Sequence, residues 1–147
     1  MLIRDADLSD VHDIFEWRSD TLSRSMFVNT GTVSLQEHID WYERSLKNPL
    51  RKIYIGVAEN SKVGAVRFDF DVVSNKSEVS INLNPKFRNK GYGFILLSYA
   101  ISLYLHHKST TLIATVKKGN RASLRIFEKC NFFKECEDEF FYRLCRM

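Results

Sequence analysis

Apolar residues recur along this chain at two different periods, and the switches between them mark out its elements. "LIRDA" reads as a short strand, after which Val11, Ile14, Phe15 and Leu22 fall at roughly helical spacing, with Ser9 or Asp10 available as a cap. "SLQEHIDWYERSLKNP" predicts a second helix, in which Ser34 and Glu37 have capping-box spacing and Pro49 marks the stop. The period then falls to two. "KIYIGVAE", "KVGAVRFDFDV" and "SEVSINLN" predict three strands joined at the polar clusters "NSK" and "SNK", the pattern of an antiparallel meander. Residues 94 to 106 are apolar on nearly every side, so this stretch predicts a helix packed against a sheet. "TLIATV" is the next strand, and "NRASLRIFEKCNFF" the next helix, with Asn120 as its cap and Asn131 in the left-handed position past its end. Strands around Phe132 to Glu137 and Phe140 to Arg146 close the chain. This order predicts an α/β fold, a mixed sheet with helices on its faces, in one domain over residues 1–147.

Composition narrows the function classes. A 147-residue chain that is 44% hydrophobic and 13% aromatic can bury a substantial core. Its 22 basic and 18 acidic residues are interspersed, so the net charge of +4 is a mild bias towards acidic ligands and does not call for nucleic acid. "MLIRDADLSD" has no apolar leader core, and no uninterrupted apolar stretch approaches the ~20 residues that span a bilayer. A cytoplasmic protein with no membrane partner is the expectation. Cys130, Cys136 and Cys145 lack CxxC spacing and do not combine with His12, His38, His106 and His107 into a zinc pattern, so neither a disulfide scaffold nor a metal is expected. The three thiols read as small core fillers.

The chemistry is concentrated in "PKFRNKGYGFILLSYA", where a basic, glycine-containing loop feeds directly into the apolar helix. Unpaired N–H groups of Asn89 through Phe94 at the helix start, the helix dipole, and the charges of Arg88 and Lys90 together suit a pyrophosphate. A P-loop is excluded because Lys90 precedes Gly91 and no Ser or Thr follows. The dinucleotide pattern fails because Ile95 and Leu96 stand where its third glycine would be. What remains is Arg-x-x-Gly-x-Gly at the end of a strand.

"INLNPKFRNKGYGFILL", followed some thirty residues later by "NRASLRIFEKCNF", resembles the two core motifs of the GNAT superfamily of acyl-CoA-dependent N-acyltransferases. The resemblance implies a mostly antiparallel sheet of about seven strands flanked by about four helices, with a bulge in the fourth strand and a V-shaped splay between the fourth and fifth. It implies acetyl-CoA as cosubstrate. The amides of Arg88, Asn89, Lys90, Gly91, Tyr92, Gly93 and Phe94 would hold its pyrophosphate, and the Leu83 backbone would pair with the pantetheine arm. Asn120, Ser123, Phe127 and Lys129 of the second motif are the further expected cofactor contacts.

An acceptor amine attacks a thioester only when neutral, so such a site needs a base or water relay, a donor for the developing oxyanion, and a proton for the departing thiolate. A backbone N–H near Leu83 is the candidate oxyanion donor. Many family members protonate the thiolate with a Tyr, whose place is taken here by Phe127; other branches use a Ser one turn earlier, matched by Ser123. Alternation puts Glu78, Ser80, Asn82 and Asn84 on one strand face, making Glu78 the candidate base, with His38 as the other.

"FEWRSDTLSRSMFVNT", "SLQEHIDWYERSLKNPLRKIYIG" and "VRFDF" resemble a GNAT branch that acetylates UDP-linked 4-amino-4,6-dideoxy sugars, and which shades into acetyltransferases of ribosomal-protein N-termini. Arg18, Arg24 and Arg67 are placed to meet a diphosphate. Trp17, Trp41 or Phe27 would stack on a sugar or uracil ring, and Asn29 and His38 complete the candidate acceptor set. A small or nucleotide-linked amine is the preferred partner, a protein N-terminus the alternative, and a non-catalytic CoA-binding module the third reading. A monomer and a dimer are both compatible with the sequence.

Overall fold

A computed structural model describes residues 1–20 and 33–146. Seven strands form one sheet in the order β1-β2-β3-β4-β5-β7-β6. They are β1 (Leu2–Asp5), β2 (Arg51–Ala58), β3 (Ser61–Asp71), β4 (Lys76–Leu83), β5 (Thr111–Lys117), β6 (Phe132–Glu137) and β7 (Phe141–Arg146). The helices among the described residues are α1 (Val11–Ser19), α2 (Leu35–Lys47), α3 (Tyr92–His107) and α4 (Arg121–Lys129). All pairings are antiparallel except that of β4 with β5. The meander from β2 to β4 turns through Glu59, Asn60 and Asn75, each at positive φ. Asn131, at φ 71°, ends α4 as its position in the sequence requires.

Each face of the sheet has its own core. Val11, Ile14, Trp17 and Tyr42 from α1 and α2 pack on Ile53, Ile55 and Ala65. On the opposite face Leu96, Leu97, Ala100, Ile101 and Tyr104 of α3, with Phe127 of α4, cover Val66, Phe68, Val79 and Leu112. The helix α3 is less enclosed than its composition suggests: Phe94, Ile95 and Tyr99 remain exposed on the side away from the sheet.

Two local expectations are corrected. Neither Ser9 nor Asp10 caps the first helix through its side chain: Asp7 caps a 3-10 turn, Leu8–Asp10, that leads into α1. Asp10 is buried instead and accepts hydrogen bonds from both terminal nitrogens of Arg4, at 2.8 and 2.7 Å, while the Lys62 ammonium lies 2.8 Å away. These contacts tie the start of α1 to β1 and β3. The bulge expected in β4 is also absent, because Lys76 to Leu83 pair with β3 without a break in register; the register shifts lie at Gly56/Val57 of β2 and at Lys134/Cys136 of β6. Among the described residues no helix is long and apolar enough to cross a membrane.

Candidate active site

The two parallel strands of the sheet part almost as soon as they meet. β4 pairs with β5 only at Lys76, Ser77 and Glu78. Backbone direction alternates along a strand, and two bonds set the phase: the Asn84 N–H donates to the Val63 carbonyl at 2.8 Å, and the Thr111 N–H donates to the Asn75 carbonyl at 3.3 Å. Even-numbered residues of β4 therefore turn their backbone towards β3 and odd-numbered ones towards β5. Beyond Glu78, the C=O of Val79 and the N–H and C=O groups of Ile81 and Leu83 face the gap where β5 has diverged. The fold thus opens the expected V without needing a bulge, and places Leu83 on its edge. It places Ile81 there too, a position the sequence reading passed over although it shares the parity of Leu83.

Both helices that flank this gap begin at its wide end, because each follows the carboxyl end of one of the parted strands. Their N-termini differ. The Asn120 side chain caps α4 by accepting the Ser123 N–H at 3.1 Å. Gly91 precedes α3 at φ 82° and supplies no side-chain cap, so the first N–H groups of α3 keep their capacity for an anion. Asn89, at φ 60°, is left-handed as well, and such backbone makes an N–H concavity suited to phosphate. Lys90 is exposed beside it. Arg88 is not turned wholly to that purpose, since its guanidinium donates to Asp20 at 2.8 Å. The Tyr92 phenol bonds Glu59, which raises its pKa, and its ring meets Phe87 edge-on at 5.1 Å. Phe94 is exposed on the first turn.

Gly93 has a different task from Gly91. A Cβ at Gly91 would meet nothing, whereas one at Gly93 would stand 2.5 Å from Cδ1 of Ile126 and 3.2 Å from Cδ1 of Leu83. Gly93 lets α3 approach α4 and the end of β4. The expectation for Phe127 is corrected: it is 3% exposed and packs edge-on against Phe132 at 5.0 Å, a core residue rather than a cofactor contact. Ser123 is half-buried in the first turn of α4, and Lys129 is exposed in the last turn, where it complements the helix dipole.

The face of β4 turned to α1 and α2 carries Glu78, Ser80 and Asn82, opposite Asp69, Arg67 and Ala65 of β3. Glu78 is exposed and is the last β4 residue paired on both sides. Beside this row, three guanidiniums surround one indole: Arg18, Arg51 and Arg67 lie 5.7, 5.4 and 5.5 Å from the Trp41 ring centroid. Arg51 and Arg67 share the single carboxylate of Asp69, which offsets one of their two positive charges. Arg18 has no carboxylate partner among the described residues; burial first, and then the charge of Arg67, hold its pKa below the ordinary value. A cavity of about 480 Å³ opens here, lined by Arg18, Glu37, Asp40, Trp41, Arg44 and Arg67. Glu37 accepts from the Ser34 hydroxyl at 3.1 Å and Asp40 from the Gln36 amide at 3.0 Å, so both carboxylates are engaged within α2.

Two residues expected at the acceptor site are elsewhere. Trp17 is 5% exposed in the core between α1, α2 and the sheet. His38 is fully buried, donates from Nε2 to the Val11 carbonyl at 3.0 Å, and stacks among Phe15, Trp41 and Tyr42. Burial lowers its pKa and holds it neutral, so it joins two helices rather than serving as a base. Arg24, Phe27 and Asn29 lie outside the described residues.

Residues 1–132 match the family described as acetyltransferase (GNAT) domain. The chain belongs to the GNAT family. Among curated proteins it is similar to acetyltransferase PseH of Campylobacter jejuni, 25% identical over 137 residues that cover 92% of this chain and 85% of that protein. Among solved structures, spermidine N-acetyltransferase from Vibrio cholerae in complex with CoA and spermine shares the fold at a TM-score of 0.87 and 16% identity, covering 98% and 93% of the two chains. The aminoglycoside acetyltransferase AAC(6')-Ib in complex with coenzyme A does so at 0.82 and 15%, covering 99% and 93%.

As a GNAT protein this is an acetyltransferase, and its acyl donor is acetyl-CoA. The chain's own groups fit that molecule: an uncapped helix start with two left-handed residues for the pyrophosphate, and a row of free strand amides and carbonyls for an amide-bearing arm. Sequence reasoning missed Arg51, which reaches Trp41 and Asp69 only through strand pairing, and Asp69, whose local signal was its place two residues from Arg67 on one strand face. Asn82 entered only as one member of a strand face.

Proposed function

We propose that the protein acetylates the primary amine of an anionic small molecule, a nucleotide-linked amino sugar of the UDP-4-amino-4,6-dideoxy type, by direct attack on acetyl-CoA. The observation that carries this reading is Arg18, a half-buried guanidinium beside Trp41 and Arg67 with no carboxylate among the described residues to neutralise it. A cation buried next to another cation is costly unless an anion arrives to join them. An indole framed by guanidiniums suits a flat ring attached to that anion. The likeness of "EWRSD", Trp41 and "VRFDF" to the sugar-acetylating branch, and the similarity to PseH, support the same class.

In this reading the first amides of α3, with Lys90 and Arg88, bind the pyrophosphate. The free backbone groups of Leu83 and Ile81 hold the pantetheine arm, and a free N–H there receives the oxyanion charge. Glu78 takes the amine proton through water, and Ser123, at the positive end of α4, supplies the proton for the thiolate. Arg18, Trp41 and Arg67 hold the acceptor. Holding both substrates in one cleft accounts for much of the acceleration.

The test follows CoA release with acetyl-CoA and three acceptor classes: a UDP-4-amino-4,6-dideoxy sugar, spermidine, and peptides beginning with Ser or Ala. Release with the nucleotide sugar, lost in an Arg18→Met variant, is the expected result. Release with spermidine or peptides alone would overturn the anionic-acceptor reading.

A further inference from the structure

Asn82 and Asn84 stand two positions apart on the same face of the chain and are treated oppositely by the fold. The Asn84 amide is fully used, donating to the Lys62 carbonyl at 2.9 Å and accepting the Lys86 N–H at 3.1 Å. The Asn82 Oδ1 is buried and has no hydrogen-bond partner among the described residues. A buried carbonyl oxygen without a donor costs stability, and folds rarely leave one open. Its surroundings indicate which group could reach it. Asn82 lies beyond the last residue of β4 that pairs with β5, between Ile81 and Leu83, whose backbone groups face the gap. Its side chain is on the face shared with Glu78 and Ser80, opposite Ala65, the face turned to α1 and the Trp41 cluster.

We propose that Asn82 positions the attacking amine: its Oδ1 accepts one N–H of the neutral nucleophile, turning the nitrogen lone pair towards the thioester carbon. This rests on reading the β4–β5 gap as the acetyl-CoA slot. In the transfer a C–N bond forms, the C–S bond breaks, the nitrogen gives one proton through water to Glu78, and the sulfur leaves as the thiolate, which takes its proton from Ser123. Asn82 takes no proton. A neutral primary amine has two N–H groups, so one is held by Asn82 while the other is lost. A secondary amine has a single N–H and cannot do both. Asn82 therefore also sets a preference for primary amines.

The experiment compares the wild type with Asn82→Leu and Asn82→Ala in three measurements: thermal midpoint, acetyl-CoA Kd by calorimetry, and CoA release with hydroxylamine and N-methylhydroxylamine. These small nucleophiles are neutral near pH 7, so the assay needs no deprotonation before attack and no occupancy of the acceptor pocket. In the Leu variant the midpoint is expected to hold or rise, since an unpartnered polar group has been replaced by an apolar one. Acetyl-CoA Kd should stay within twofold. The hydroxylamine kcat/KM should fall at least tenfold, and the preference over N-methylhydroxylamine should collapse. Should the Leu variant fail to fold, the Ala variant carries the same comparison. Unchanged rate and preference would overturn the proposal, as would a wild type that binds acetyl-CoA but accelerates neither nucleophile. A wild type that does not bind acetyl-CoA would overturn the slot reading itself, and the calorimetry distinguishes that failure from the other.

Discussion

A methyl group on Gly93 would stand 2.5 Å from Cδ1 of Ile126. The two segments that carry the family resemblance thus touch each other, one at the start of α3 and one within α4. Their contact sets how closely the two helices flank the β4–β5 gap. Gly93→Ala should cost about 1–3 kcal/mol, the usual range for overpacking. Because the clashing atom is the end of a side chain, Ile126→Val in the same molecule should recover most of the loss. Thermal melts of the single and double variants check this.

Gly91→Ala has the opposite signature. No atom obstructs a Cβ there, but φ of 82° penalises any L side chain by roughly 1–2 kcal/mol. The backbone relieves that strain by moving the uncapped start of α3. Acetyl-CoA Kd should therefore rise in Gly91→Ala, and calorimetric titration would show it.

Arg18→Met should separate stability from function. Removing a half-buried charge held beside Arg67 is expected to raise the melting temperature, by about 2–4 °C for each kcal/mol in a chain of this size. The KM for an anionic acceptor should rise at least tenfold, while acetyl-CoA affinity stays constant. Steady-state kinetics with a scan of thermal stability tests both halves.

Asp10 makes stability depend on acid. Burial raises its pKa, but hydrogen bonds from Arg4 and Lys62 outweigh this and leave the carboxyl well below its ordinary value of 3.8. A depressed folded-state pKa gives stability that is present above the unfolded value and lost as pH falls through the folded one. Asp10→Asn should cost about 3 kcal/mol at pH 7, as expected when one member of a buried ion pair is removed. The gap between variant and wild type should narrow below about pH 4. Urea unfolding at pH 7 and pH 3 measures that gap.

The three cysteines should react unequally with a thiol reagent. Cys130 and Cys145 are buried, and burial pushes the Cys130 thiol to about 11 and raises that of Cys145. Cys136 is exposed on β6, contrary to the expectation that all three are core fillers. A disulfide reagent should label Cys136 quickly in the native protein and the other two only on unfolding. Any CoA-release assay read by thiol chemistry needs that background removed, which Cys136→Ser provides.

Much of this architecture is written locally. The strands of the meander, the Ser34 and Asn120 caps, the left-handed Asn131 and the loop before α3 all follow from residues within a few positions of one another. Hydrophobic period and capping act over one or two turns, so a sequence exposes them directly. The backbone parity that makes Leu83 face the gap is equally local once β4 is recognised. Other features depend on which strands become neighbours. The insertion of β7 between β5 and β6, the brief pairing of β4 with β5, and the gathering of Arg18, Arg51 and Arg67 around Trp41 join residues far apart in the chain. The same is true of burial. Trp17, His38 and Phe127 carry the residue types of a binding site, but the core of a small domain needs large rings, and only the packed sheet decides which rings it takes. The sequence by itself determined the elements and the uncapped, glycine-containing start of α3; the tertiary structure alone decided which polar side chains were left without a protein partner among the described residues, because satisfaction of a hydrogen bond is a property of neighbours brought together by folding.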